Sequence, residues 1–215
     1  MSKHFKKYAL LLIAGVVICS VSCKKDSKGD GEGEVTDFII NAKNIIIDGN
    51  DNNVAVVKAI MFNKQYYEDE PIATGTYENG GFKLALPFTI DSSYLDEAFK
   101  LGGNWWYVNN PNVKVGEIYI FAYDEADNKI GWFVHAENRK MGANYVYADR
   151  SVTITETYFL SEYDYNKTIT FDLSLKKGWN VVYSIEEVDD DYYYYNCTLT
   201  TKKPSGVTLK WSYHG

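Results

Sequence analysis

The sequence predicts an all-β protein, mainly an antiparallel β-sandwich, with a meander β-barrel as the alternative. Three observations carry that expectation. The composition is 46% apolar and 16% aromatic, with nineteen tyrosines and only four prolines in 215 residues, and aromatic and β-branched side chains suit the pleated, half-buried surface of a sheet. Short apolar runs recur along the chain, separated by clusters of Asn, Asp, Gly and Lys, which is the signature of a sandwich or barrel. Only one stretch, 93–101, has the spacing of a helix.

The elements follow in order. Residues 37–47 read as one strand or a bent pair, and 48–53 (DGNDNN) as a turn. In 54–62, Val54, Val56, Ile60 and Phe62 share one parity and Lys58 interrupts it, which predicts an edge strand. Strands at 72–77 and 82–86 flank Glu78-Asn79-Gly80-Gly81, a hairpin signal because Asn and Gly both tolerate positive φ. In 93–101, Ser93 and Asp96 approximate a capping box, Leu95, Ala98 and Phe99 make an apolar face, and Gly102 supplies a stop, predicting one short helix. Residues 117–123 are apolar on both parities and read as a central strand. Its hairpin partner, 130–137, is expected to turn Trp132 and Val134 inward. The polar stretch 138–143 is a turn and the boundary at which two subdomains would divide; 145–147 is a short strand. In the last third, Ile169, Phe171, Leu173 and Leu175 share a face, as do Val207, Leu209, Trp211 and Tyr213. Short sequential connections favour a meander.

The N-terminus has the parts of a secretory signal. Lys3, Lys6 and Lys7 precede the apolar run YALLLIAGVVI at 8–18. A spanning helix needs about 20 such residues, so this run is too short to be one. Ser20-Val21-Ser22-Cys23 closes it. The stretch resembles a bacterial lipobox, with Cys23 as the lipidated residue after a signal peptide at 1–22, although Ser20 stands where a leucine-like residue is usual. A cysteine thiol can take a diacylglyceryl group and its freed amine a further chain, and each buried methylene contributes about 0.8 kcal/mol, so two or three chains hold a protein at a membrane. Residues 24–34 (KKDSKGDGEGE) lack any apolar side chain and read as a flexible tether. Residues 35–215 read as a single β domain, long enough to bury a core. The net charge is −7, and loss of the three leader lysines makes it more negative. That balance argues against nucleic acid as a partner, because such affinity rests on neutralising phosphates. Cys19 leaves with the leader and Cys23 takes lipid, so Cys197 is the one thiol left. Its parity with Tyr193, Tyr195 and Leu199 predicts a buried thiol.

The anchor, the tether and stretches such as Gly80-Gly81-Phe82-Lys83-Leu84-Ala85-Leu86-Pro87, Leu175-Lys176-Lys177-Gly178-Trp179-Asn180 and Pro204-Ser205-Gly206-Val207-Thr208-Leu209-Lys210-Trp211 resemble uncharacterised lipoproteins of Bacteroidetes. The resemblance implies export to the outer membrane, at the cell surface or the periplasmic face, and a β architecture. It assigns no site.

Catalytic signals are sparse. His135 and His214 are the histidines outside the leader region, and no His-x-x-x-His, Cys-x-x-Cys, Gly-x-Ser-x-Gly or phosphate loop occurs, so no catalytic residue and no cofactor is expected. The acids at 68–70, 124–127 and 189–191 lie in expected turns. Asp48-x-Asn50-x-Asn52 has the alternating oxygens of a calcium loop, but Ala59 stands where an EF-hand needs its glutamate. This leaves Asp48, Asn50, Asn52, Asp189 and Asp191 as weak calcium ligands. The aromatic clusters are the binding residues the sequence points to: Trp105, Trp106 and Tyr107 with Asn109, and Tyr192 with Tyr194. Flat rings beside amides suit sugar stacking or a protein contact. The expected function is that of a lipid-anchored, non-catalytic binding or accessory protein for a glycan or an outer-membrane partner protein. The alternative is an extracellular polymer hydrolase using paired carboxylates, which would need two acids about 5 to 10 Å apart across a cleft.

Overall fold

In the computed structural model, the described residues are 38–49, 51, 53–63, 68–101, 104–107, 113–138, 140–162, 165–188 and 194–215. All lie in the unit Val35–Gly215. They form β1 (Phe38–Ala42), β2 (Ile46–Asp48), β3 (Val56–Asn63), β4 (Glu68–Glu78), β5 (Gly81–Leu86), β6 (Ala98–Leu101), β7 (Asn104–Tyr107) and β8 (Val115–Tyr123). There follow β9 (Lys129–Asn138), β10 (Met141–Ala148), β11 (Val152–Glu162), β12 (Tyr165–Leu175), β13 (Gly178–Val188), β14 (Tyr194–Thr200) and β15 (Lys210–His214). The chain is all-β among these residues.

One large mixed sheet runs β1-β5-β4-β3-β8-β9-β10-β13-β14-β12-β11, with β15 pairing β9 and β2, and β8 also pairing β10. The pairing is mostly antiparallel; β12–β14 and β15–β2 are parallel. The bent pair expected at 37–47 is β1 and β2. The β4–β5 turn forms as its sequence predicts: Asn79 and Gly80 have φ of 52° and 69°, the left-handed geometry of a two-residue hairpin turn.

The sheet encloses two cores. The first gathers Leu84 and Leu86 of β5, Val57 and Met61 of β3, Ile118 and Ile120 of β8, Phe133 of β9, Tyr145 and Tyr147 of β10, and Trp211 and Tyr213 of β15. The second gathers Val115, Val146, Ala148, Ile154, Val182 and Leu199 around Ile169, Phe171, Leu173 and Leu175. Successive side chains of a strand point to opposite faces. Strands β10 and β13 therefore serve as a shared wall: Tyr145 and Val181 face the first core, Val146 and Val182 the second. Fully burying one such aliphatic or aromatic side chain contributes about 1.5–3 kcal/mol.

Three sequence expectations are corrected. Residues 93–101 are not a helix. A 3-10 turn spans Ser92–Tyr94, capped by Asp91, whose carboxylate accepts from the Ser93 backbone 2.8 Å away. Asp96 then exchanges two 2.7 Å backbone bonds with Val115, and β6 pairs with β7. Ladder bonds from elsewhere in the chain outweigh a weak local helix preference. Strand β3 is not an edge: it lies between β4 and β8, with Val57, Ala59 and Met61 inward. Lys58 lies outward, paired with Asp127 and 4.3 Å from the centre of the Tyr123 ring. The parity of β9 is also reversed. Phe133 is 6% exposed and Trp132 49% exposed. Gly131 sets that phase: a Cβ there would sit 2.6 Å from the Tyr213 ring and 2.5 Å from the His214 carbonyl oxygen. The inward row of β9 thus starts at a glycine and continues through Phe133 and His135.

Candidate functional site

The sheet forks between β8, β9 and β10. From Ile120↔Phe133 toward Tyr123, β8 pairs β9. At its other end, from Val146↔Glu117 to Ala148↔Val115, it pairs β10. Strands β9 and β10 pair with each other only near their turn, at Met141↔Asn138 and Gly142↔Ala136. The three strands therefore diverge around a gap, a cavity of about 150 Å³. Among its lining residues, Glu117, Tyr119, Trp132, Val134 and Asn144 are exposed or half-buried on the outward parity and form the lip, while the buried Tyr145 and Trp211, with His135 on the inward parity, form the floor.

The floor is a ring stack. His135 lies 4.5 Å from Trp211 at an interplanar angle of 4°, and Tyr145 lies 6.1 Å from Trp211 at 2°. His135 Nδ1 and the Tyr145 hydroxyl are hydrogen bonded at 2.9 Å. Burial, with Lys203 as a second cause, pushes the His135 imidazolium down to about 4. Burial also pushes the Tyr145 phenol well above its usual value. Both groups are neutral at pH 7, so the floor offers hydrogen-bonding capacity without charge.

Outside the lip lies a flat aromatic face. Register places Asp48 of β2, His214 of β15, Trp132 of β9, Phe121 of β8 and Lys58 of β3 in one row across five strands. Strands sit about 4.8 Å apart, so the row spans roughly 19 Å. Trp132 stacks on His214 at 5.6 Å and 19°. His214 is held by Asp48 Oδ2 at 3.3 Å from Nδ1 and by the Ser212 hydroxyl at 3.0 Å from Nε2. Phe121 stacks on Tyr119 at 6.4 Å, and the Lys129 ammonium sits 4.3 Å from the Phe121 ring centre. The result is a row of rings edged by polar groups.

No protein-family model matches this chain, and no curated protein or solved structure is significantly similar to it.

Of the described residues singled out from sequence, Asp48 adjoins this face, while Trp105, Trp106, Tyr107 and Tyr194 lie in other strands. Trp105, Trp106 and Tyr107 lie in β7 opposite Lys100, Phe99 and Ala98. Tyr194 opens β14 opposite Asn166 of β12. Asp48 is mostly exposed and faces His214. Cys23, Asn50, Asn52, Asn109, Asp189, Asp191 and Tyr192 lie outside the described residues. Among the described residues no group of three or more His, Cys, Asp or Glu could hold a metal ion. Cys197 is buried, and that burial pushes its thiol up to about 11, so it is un-ionised and unreactive. Hydrogen bonds pull the Asp91 and Asp124 carboxyls down. At Asp149 burial acts upward, but bonds from Arg150 and Lys114 outweigh it and the net shift is down. A general acid needs the opposite shift.

Sequence reasoning missed Trp132, His214, Asn144 and the fork. For Trp132 the available signal was Gly131: a glycine inside a strand marks a close backbone approach.

Proposed function

We propose that this chain is an exported, lipid-anchored binding or accessory protein with no catalysis of its own, and that it binds through the face around Trp132. The observation that carries the reading is Trp132 itself. It is half exposed in the middle of a sheet and stacked on His214, whose ring is fixed on both nitrogens. A large indole left in water on a rigid platform is costly to solubility and suits a stacking ligand or partner. The Ser20–Cys23 stretch supports an anchor at Cys23 and residence at the outer membrane. The downward shifts at Asp91, Asp124 and Asp149 give no support to hydrolysis by paired carboxylates. Two variants test the two halves. Cys23→Ala should release the protein from membranes, and retention without acyl mass on Cys23 would remove the anchor. Trp132→Ala should abolish capture of glycan or partner by cells displaying the protein, and undiminished capture would remove the face.

A further inference from the structure

We infer that the cavity between β8, β9 and β10 receives the acetamido group of a 2-acetamido sugar whose ring rests on Trp132. This names the ligand of the binding face proposed above and rests on that reading. Size is the first reason. Pockets for whole ligands run to about 300–1,000 Å³, whereas this cavity holds about 150 Å³. It is smaller than a site for a whole oligosaccharide and roomy for a substituent of four heavy atoms. Position is the second. Trp132 forms part of the lip and is half exposed, so a ring stacked on the indole projects its substituents toward the gap. Chemistry is the third. An acetamido group carries one N–H donor, one carbonyl acceptor and a methyl. The lining supplies a carboxylate that accepts (Glu117, which also takes the Tyr119 hydroxyl at 3.5 Å), an amide that donates (Asn144), and aliphatic side chains for the methyl (Val134 and Ala143). Glu117 at the lip also disfavours a sugar carboxylate or sulfate in the same place, because like charges repel.

The test uses the full chain purified in a non-glycosidic detergent. Three probes are titrated: the β-1,4 trimer of N-acetylglucosamine, the corresponding glucosamine trimer and the glucose trimer. The acetylated trimer is expected to bind at least tenfold more tightly than the other two. Val134→Phe, an outward change that fills the cavity mouth, should remove that preference, and Asn144→Ala should reduce it, with melting temperatures near wild type for both. Trp132→Ala should weaken all three probes. Equal affinity for the three trimers, all lost with Trp132→Ala, would overturn the acetamido cavity and leave the binding face standing. Preference unchanged by both Val134→Phe and Asn144→Ala would place the acetamido group elsewhere and overturn the inference. Binding unchanged by Trp132→Ala would overturn the cavity and the face together. If no trimer binds, the sugar inference falls, and the face is then judged by capture of a protein partner with and without Trp132.

Discussion

The two cores differ in kind. The first holds Phe82, Phe133, Tyr145, Tyr147, Trp211 and Tyr213, with Phe38, Tyr77 and Trp179 packed against them. Its rings meet mostly edge-on or tilted, as Phe82 does with Phe133 at 4.9 Å and with Trp211 at 5.2 Å. The second is aliphatic around Phe171. Aromatic rings with polar tips seek partners when buried, and in the first core several find them. Tyr213 donates to the Ile130 carbonyl, Trp179 to the Pro87 carbonyl and Tyr77 to Asp51, and Tyr145 pairs with His135. Each such pair fixes a ring in place and brings a polar group into the interior. The second core carries such bonds at its margin, where Tyr158 donates to Glu156, while its centre is built from methyl and methylene groups, which pack without direction. The fork, the perturbed histidine and the exposed platform all adjoin the aromatic core, which points to the second core as support.

Four changes would break or sharpen that contrast. The largest is truncation in either core. Phe171→Ala and Trp211→Ala should each cost about 3–5 kcal/mol, measured by denaturant unfolding. They should differ in one readout: Trp211→Ala opens the stack and should let His135 titrate nearer its ordinary value by NMR, while Phe171→Ala leaves that titration alone. Next is Tyr145→Phe, which removes one partner of a buried pair and should cost about 1–3 kcal/mol.

Acid is third. His135 titrates near 4 in the folded protein and near 6.5 when unfolded. The unfolded chain therefore takes up a proton that the folded one refuses. This contribution is complete above about pH 6.5 and is lost as pH falls toward 4, by about 1–2 kcal/mol after discounting for partial exposure. His135→Gln should flatten that window; an unchanged slope would show that burial of His135 does not cause it. The smallest expected effect is on the outer face, where Trp132→Ala should cost about 1 kcal/mol or less.

Much of the fold was legible in the sequence because it is local. The Asn79-Gly80 turn and the alternation of Ile169, Phe171, Leu173 and Leu175 need no knowledge of the rest of the chain. What misled was phase and competition. In β9 the apolar residues Ile130, Trp132 and Val134 suggest an inward row, yet Gly131 against Tyr213 puts the other row inside. In 93–101, helical spacing loses to a bridge with Val115 and pairing with β7. The site was illegible for the same reason. A fork exists only once three strands that are distant in register have chosen their partners, and no single stretch announces it. The conspicuous clusters, Trp105-Trp106-Tyr107 and Tyr192 to Tyr195, drew attention by density, whereas Trp132 stands among ordinary strand residues.

The outer face is tested most directly by Trp132→Ala in the full chain, with glycan-array binding and melting temperature read on the same preparation. Binding should fall by tenfold or more, as for an interface anchor, while the melting temperature moves by no more than about 2–4 °C. Intact binding, or a loss of stability as large as that of Trp211→Ala, would contradict a binding role for this face.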